Sequence, residues 1–213
     1  MKNILFLFSM LFLFAACADD DTPVFPVDDD GPVTPPEDTL VLHPAIYVAG
    51  DTTYGYVQGV WLDSFIWEAS ISIARIQDWH PTFPGDYWDM GFSAYHRLSG
   101  FTRHSLYLTE IPKNSVGTFK VAFDHFDLDD GFVGASFHTS TDDGDVGEDN
   151  YIVDETATDN LLTITEIDTV EQIYRGHFTV SFEINNPQGF KLNPNNPDKF
   201  TIRDAVFWVK LQE

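Results

Sequence analysis

The sequence predicts an all-β protein, a single antiparallel β-sandwich or barrel-like domain behind an export signal and a disordered acidic, Pro-rich linker. Two observations on pattern and one on composition lead there. From about Leu40 onward, apolar residues recur with period two, the spacing of a strand with one buried face. The periodic runs are short and separated by Gly, Pro, Asn and Asp, as in sandwiches and barrels, and no amphipathic helix of useful length interrupts them. The 213 residues are 43% apolar and include 19 Phe, 8 Tyr and 5 Trp, enough to build a core without disulfides. Residues 39–213 are one ordinary domain by length.

The chain opens with one positive charge, Lys2, and an almost wholly apolar run from Ile4 to Phe14. That run is shorter than the roughly 20 residues a spanning helix needs, so residues 1–16 read as an export signal. It ends at Leu13-Phe14-Ala15-Ala16-Cys17, which resembles a bacterial lipobox. The resemblance implies that Cys17 carries lipid and becomes the first residue of the mature protein. Cys17 is also the single cysteine, and a free thiol on an exported chain is unusual. Asp19-Asp20-Asp21 directly behind it is similar to the surface-export signal of Bacteroidota lipoproteins. That implies an outer-membrane protein, lipid-anchored and facing outward, with the periplasmic leaflet as the alternative.

Residues 17–38 read as a tether. Ala18 to Asp38 holds five of the 12 prolines and eight acids, with no Lys or Arg. Proline removes backbone donors and like charges repel, so the segment stays extended. Without residues 1–16 the chain carries 10 basic and 34 acidic side chains, a formal charge of −24. Such a field repels nucleic acid and anionic lipid headgroups and favours cations and cationic partners.

Strands are expected in order. Val41 to Gly50 forms a first strand, with Pro44 suggesting an edge. Tyr56–Trp61 is a second, followed by a turn at Leu62-Asp63-Ser64. In the third, Trp67, Ala69, Ile71 and Ile73 share one face, and Glu68, Ser70 and Ser72 the other. Residues 78–88, with two prolines, a glycine and four aromatics, read as an apolar loop. Met90–Tyr95, Ser105–Thr109, Gly117–Phe123 and Phe132–His138 are further strands. Residues 142–150 read as an acidic loop. Leu161–Ile167 and Phe178–Ile184 are strands, and residues 185–199 form a long Asn/Pro-rich connection. Thr201–Leu211 closes the chain, with Phe207, Val209 and Leu211 on one face.

Several of these landmarks together resemble a group of small Bacteroidota surface lipoproteins of unknown function. The landmarks are Trp67-Glu68-Ala69, Gly117-Thr118-Phe119, Leu162-Thr163-Ile164-Thr165 with Asp168, and Gly176-His177-Phe178. The resemblance covers about residues 60–213 and implies no catalytic residues.

Three kinds of residue are candidates for function. Trp79, Tyr87 and Trp88 lie in the Pro/Gly stretch, where flat rings with a polar edge can stack on a sugar or anchor a protein. Asp143, Asp145, Glu148 and Asp149 put hard oxygens near flexible glycines, a chemistry that suits calcium. They do not follow EF-hand spacing. The seven histidines show no zinc spacing, and there is no G-x-S-x-G. Carboxylates are too abundant for any pair to mark a glycan hydrolase without a measured separation. The sequence therefore predicts a lipid-anchored, non-catalytic binding module for a glycan, with a protein-interaction or structural envelope component as the alternative and a glycan hydrolase as a third reading. No cofactor beyond calcium is expected.

Overall fold

The computed structural model describes residues 47–77, 86–123, 131–141, 143–186 and 189–212. Among them there is no helix. The strands are β1 (Tyr47–Ala49), β2 (Gly55–Trp61), β3 (Phe65–Ile76), β4 (Tyr87–His96), β5 (Thr102–Pro112) and β6 (Gly117–Phe123). They continue as β7 (Val133–Ser140), β8 (Gly147–Val153), β9 (Leu161–Asp168), β10 (Ile173–Ile184) and β11 (Lys199–Lys210).

The pairings close on themselves. From β4 they run to β3, β2, β11, β10, β8, β7 and β5, and β5 returns to β4. Every contact in this ring is antiparallel, and the sandwich-or-barrel expectation resolves to a closed barrel. Closure removes the open edges that would otherwise template aggregation. The wall forks beside β10. Residues Phe182–Ile184 of β10 pair β8, while Ile173–Thr179 pair β9. β8 and β9 thus lie end to end along β10, and β6 joins β9 and runs parallel to the start of β7. β1 takes the edge of β4 at Ala94–His96, beyond the part that pairs β3.

Period-two alternation sends one face of each strand inward. Val57 and Trp61, Trp67 and Ala69, Trp88 and Phe92, Leu106 and Leu108, and Phe178, Val180 and Phe182 are all buried there. Phe137 sits at the centre, with ring centroids 4.9 Å from Phe200, 5.8 Å from Phe182 and 6.0 Å from Tyr151. Burying each such side chain stabilises the fold by roughly 1.5–3 kcal/mol. An eight-stranded ring is just wide enough for side chains to fill, and here the interior is a packed core.

Three expectations change. Residues 142–150 are not wholly a loop, because β8 begins at Gly147 and turns Asp149, Tyr151 and Val153 inward. A carboxylate at a core position masked that alternation. β4 begins at Tyr87, so Tyr87 and Trp88 belong to a strand and not to the preceding loop. β3 is longer than the strict alternation suggests, because a bulge at Ile71/Ile73 shifts its phase midway, and β10 reaches back to Ile173 with its alternation unbroken through Tyr174 and Gly176. The first expected strand lies mostly outside the described residues.

The β2–β3 turn holds Leu62 and Asp63 at φ of 48° and 64°, a hairpin geometry usually given to glycine. Arg203 clamps it. Its Nη2 donates to the Asp63 carbonyl oxygen at 2.7 Å, and its Nη1 lies 3.3 Å from the carboxylate.

Candidate functional site

The three rings expected to form a platform stand differently. Trp79 lies outside the described residues. Trp88 is fully buried, its ring 4.6 Å from that of Tyr174, and it has no surface to offer a ligand. The alternation Trp88, Met90, Phe92, Ala94 draws it into the core. Tyr87 is half-buried at the start of the strand.

The four acids of the expected calcium loop divide into two pairs. Asp143 and Asp145 stay at the tip of the β7–β8 hairpin, where Asp143 accepts from the Thr141 hydroxyl and from the Asp145 amide at 3.3 Å. Glu148 and Asp149 lie on β8. Glu148 faces Arg103 at 3.5 Å and accepts from Asn193 Nδ2 at 3.1 Å. Asp149 is buried at one end of the barrel, where its Oδ1 accepts from Asn186 Nδ2 at 2.7 Å and the Leu192 amide at 2.8 Å. Its Oδ2 accepts from Asn196 Nδ2 at 2.7 Å and the Asn193 amide at 3.4 Å. Burial pushes the Asp149 carboxyl up, and these amide donors together outweigh it, so its pKa falls below the usual carboxylate value. Protein amides occupy the lone pairs that a cation would need. Among the described residues, no three metal-ligating side chains converge. Asp149 instead pins the β10–β11 connection, residues 185–198, across the barrel end.

Beside that cap lies a cleft of about 340 Å³ lined by Asn185, Phe190, Lys191 and Asp198. Lys191 is already paired with Asp198 at 2.8 Å. A second cleft of about 290 Å³ holds Asp154 and Lys199. Lys199 bridges Asp154 and Glu183, each at 2.8 Å. Its ammonium, with the Thr156 hydroxyl, holds the Asp154 carboxyl down to about 2. In both clefts the lysine is already held by carboxylates.

The outer wall of β10, β11, β2 and β3 carries the most distinctive surface chemistry. Phe207 and Val209 point into the core, so Trp208 and Val206 point out. On β2, Val57 and Gly59 are buried, so Tyr54, Tyr56 and Gln58 point out. Register places Arg175, Trp208, Tyr56 and Ser70 in one row across four strands. The adjacent row is His177, Val206, Gln58 and Glu68. Tyr54 precedes β2 by one residue, opposite Lys210, whose amide donates to its carbonyl oxygen at 2.8 Å. Trp208 and Tyr56 are half-buried, while Tyr54 is 46% and Val206 63% exposed. Directly opposed side chains on neighbouring strands stand about 5 Å apart at Cβ, so the two rings form one continuous surface.

Polar groups edge this strip. Gln58 Nε2 donates to Glu68 Oε1 at 2.6 Å. Burial pushes the Tyr56 hydroxyl up to about 12, helped by its hydrogen bond to Glu68. Arg175 Nη1 lies 3.4 Å from Glu166, and Lys210 Nζ lies 3.0 Å from Glu171. Sequence reasoning set Phe207 and Val209 inward but gave Trp208 no role. The signal was there, since a tryptophan in antiphase with a core face must look outward.

Comparison with protein-family models, with curated proteins and with solved structures finds no match to this chain.

Proposed function

We propose that the chain is a lipid-anchored outer-membrane lipoprotein, similar to those of Bacteroidota, displayed on the cell surface as a non-catalytic glycan-binding module. One observation carries the binding reading. The aromatic pair Trp208 and Tyr56, with Tyr54 beside it, lies on the outside of a barrel whose interior is already filled. Flat rings with polar edges are what a sugar ring stacks on. The lipobox at Cys17 and the acidic tether behind it support the anchor and its outward display.

The test uses intact cells expressing the full-length chain, offered beads coated with individual polysaccharides. Cells carrying the wild-type chain adhere to at least one polysaccharide, and cells carrying Cys17→Ala do not. Surface-detected protein with no adhesion to any polysaccharide contradicts the reading.

A second reading, a protein partner in the envelope, is favoured by a different surface. At the capped end, Leu98, Phe101, Val146, Phe190 and Leu192 expose apolar side chains. The β4–β5 and β7–β8 hairpins touch there, since a Cβ on Gly144 would meet Phe101 Cβ at 2.7 Å. Exposed apolar groups gathered in one region mark interaction sites.

A further inference from the structure

We propose that the outer-wall strip of Tyr54, Tyr56 and Trp208 receives an uncharged polysaccharide laid across the strands, with Gln58, Glu68, Arg175 and Glu166 as its hydrogen-bonding edge. The inference rests on the glycan-binding reading and names the class of glycan and its place.

Charge decides the class. Five cationic side chains of these four strands are exposed or half-buried among the described residues, and each has a carboxylate partner, Arg75 of β3 lying 3.9 Å from Asp89. Arg175 pairs with Glu166, Lys210 with Glu171 and Arg203 with Asp63. Lys199 pairs with Asp154 and Glu183. A uronic-acid or sulfated polymer would have to displace those partners. Glu68, in contrast, takes bonds from Gln58 and Tyr56 and has no cationic partner among the described residues. It presents a carboxylate beside the rings, in a chain already carrying a formal −23 with its signal. Like charge at this distance excludes polyanions. A neutral sugar meets no such cost. Its hydroxyls can donate to Glu68 and Glu166 and accept from Arg175 and Gln58.

Shape decides the direction. The rings sit on adjacent strands in register, so the apolar strip crosses the strands. From Arg175 on β10 to Tyr56 on β2 is two strand spacings, about 9.5 Å, and Ser70 beyond it on β3 is buried. That length suits a short run of linked sugars lying flat, with the charged pair Arg175–Glu166 at one end and Gln58–Glu68 near the other. A protein partner would want a broader apolar area than this strip offers. Tyr and Trp lose little rotamer freedom on binding, which favours a preformed platform.

The test is native electrophoresis of the full-length protein in detergent, through gels containing hydroxyethyl cellulose, glucomannan or polygalacturonate. The expected result is retardation by a neutral polymer and none by polygalacturonate. Trp208→Ala and Tyr56→Ala should each weaken the retardation about tenfold, while Trp208→Phe, which keeps a ring, retains most of it. Tyr54→Ala, at an exposed position, provides a variant that cannot fail through the core. Equal retardation of wild type and all three alanine variants overturns the strip and leaves the glycan reading standing. Preferential retardation by polygalacturonate overturns the neutral class. No retardation by any polymer overturns the glycan reading and this inference with it.

Discussion

His104 is a titratable group inside the aromatic core, its ring 4.8 Å from Trp61 and 5.4 Å from Phe137. Burial, with the Arg103 guanidinium next to it, holds the imidazole down to about 3. In the unfolded chain the same group titrates near 6.5. Below that pH the unfolded state takes up a proton that the folded state refuses, so His104 withdraws stability as pH falls from about 6.5 toward 3. The strongly negative chain works the opposite way, because acid relieves its self-repulsion. The comparison with His104→Gln isolates the histidine. Urea midpoints between pH 7 and pH 4.5 should fall more steeply for wild type than for His104→Gln, and parallel curves would contradict the assignment. The window stays above the unfolded carboxylate value of 3.8, so Asp149 and Asp154, both lowered in the fold, keep most of their contribution across it and act alike in both proteins. Nothing in the sequence marked His104 as a core residue. Its phase is that of Leu106 and Leu108, but a histidine at the end of an apolar alternation reads equally well as the first exposed residue. Trp88 and Trp208 show the same ambiguity. Composition places tryptophans in strands, and only the phase of the neighbours says which side they face.

The β10–β11 connection is the element whose conformation depends most on a single side chain. In that connection Asp149 supplies acceptors for the backbone amides of Leu192 and Asn193 and for the side chains of Asn186 and Asn196. Asn196 also reaches Thr139 at 3.1 Å, and the Asn150 amide donates to Asn186 Oδ1 at 2.8 Å. Asp149→Ala leaves those donors buried without acceptors and should cost about 3 kcal/mol. Asp143→Ala, at the exposed hairpin tip, should change stability by less than about 0.5 kcal/mol. Denaturant midpoints check both. An Asp149→Ala protein as stable as wild type would show that the connection is held by something else. At this scale the sequence was most legible where alternation is unbroken, as in β6, β7 and the second half of β10. It was least legible at β8, where Asp149 occupies an inward position. A carboxylate there looks like loop chemistry, and the amides that satisfy it come from residues 37 to 47 positions away. No short-range pattern encodes that distance.

At the scale of the whole molecule, ring closure assigns the division of labour. Closure and filling commit one face of each strand to stability, which leaves the outer wall and the loops for the recognition proposed above. The all-β class followed from period two alone. Closure did not, because a sandwich and a barrel share that period and differ only in whether β5 returns to β4. The outer strip was partly legible, since Tyr54 and Tyr56 were visible in the N-terminal half. Their neighbour Trp208 lies more than 150 residues away in sequence, and only the β2–β11 pairing brings it beside Tyr56. The most direct test of a binding wall outside a filled barrel is an NMR titration of the five tryptophan indole N–H signals with glucomannan. The Trp208 signal should shift while those of the buried Trp61, Trp67 and Trp88 stay in place. A stationary Trp208, with the shift at Trp79 instead, would contradict the account and return the site to the Pro/Gly stretch.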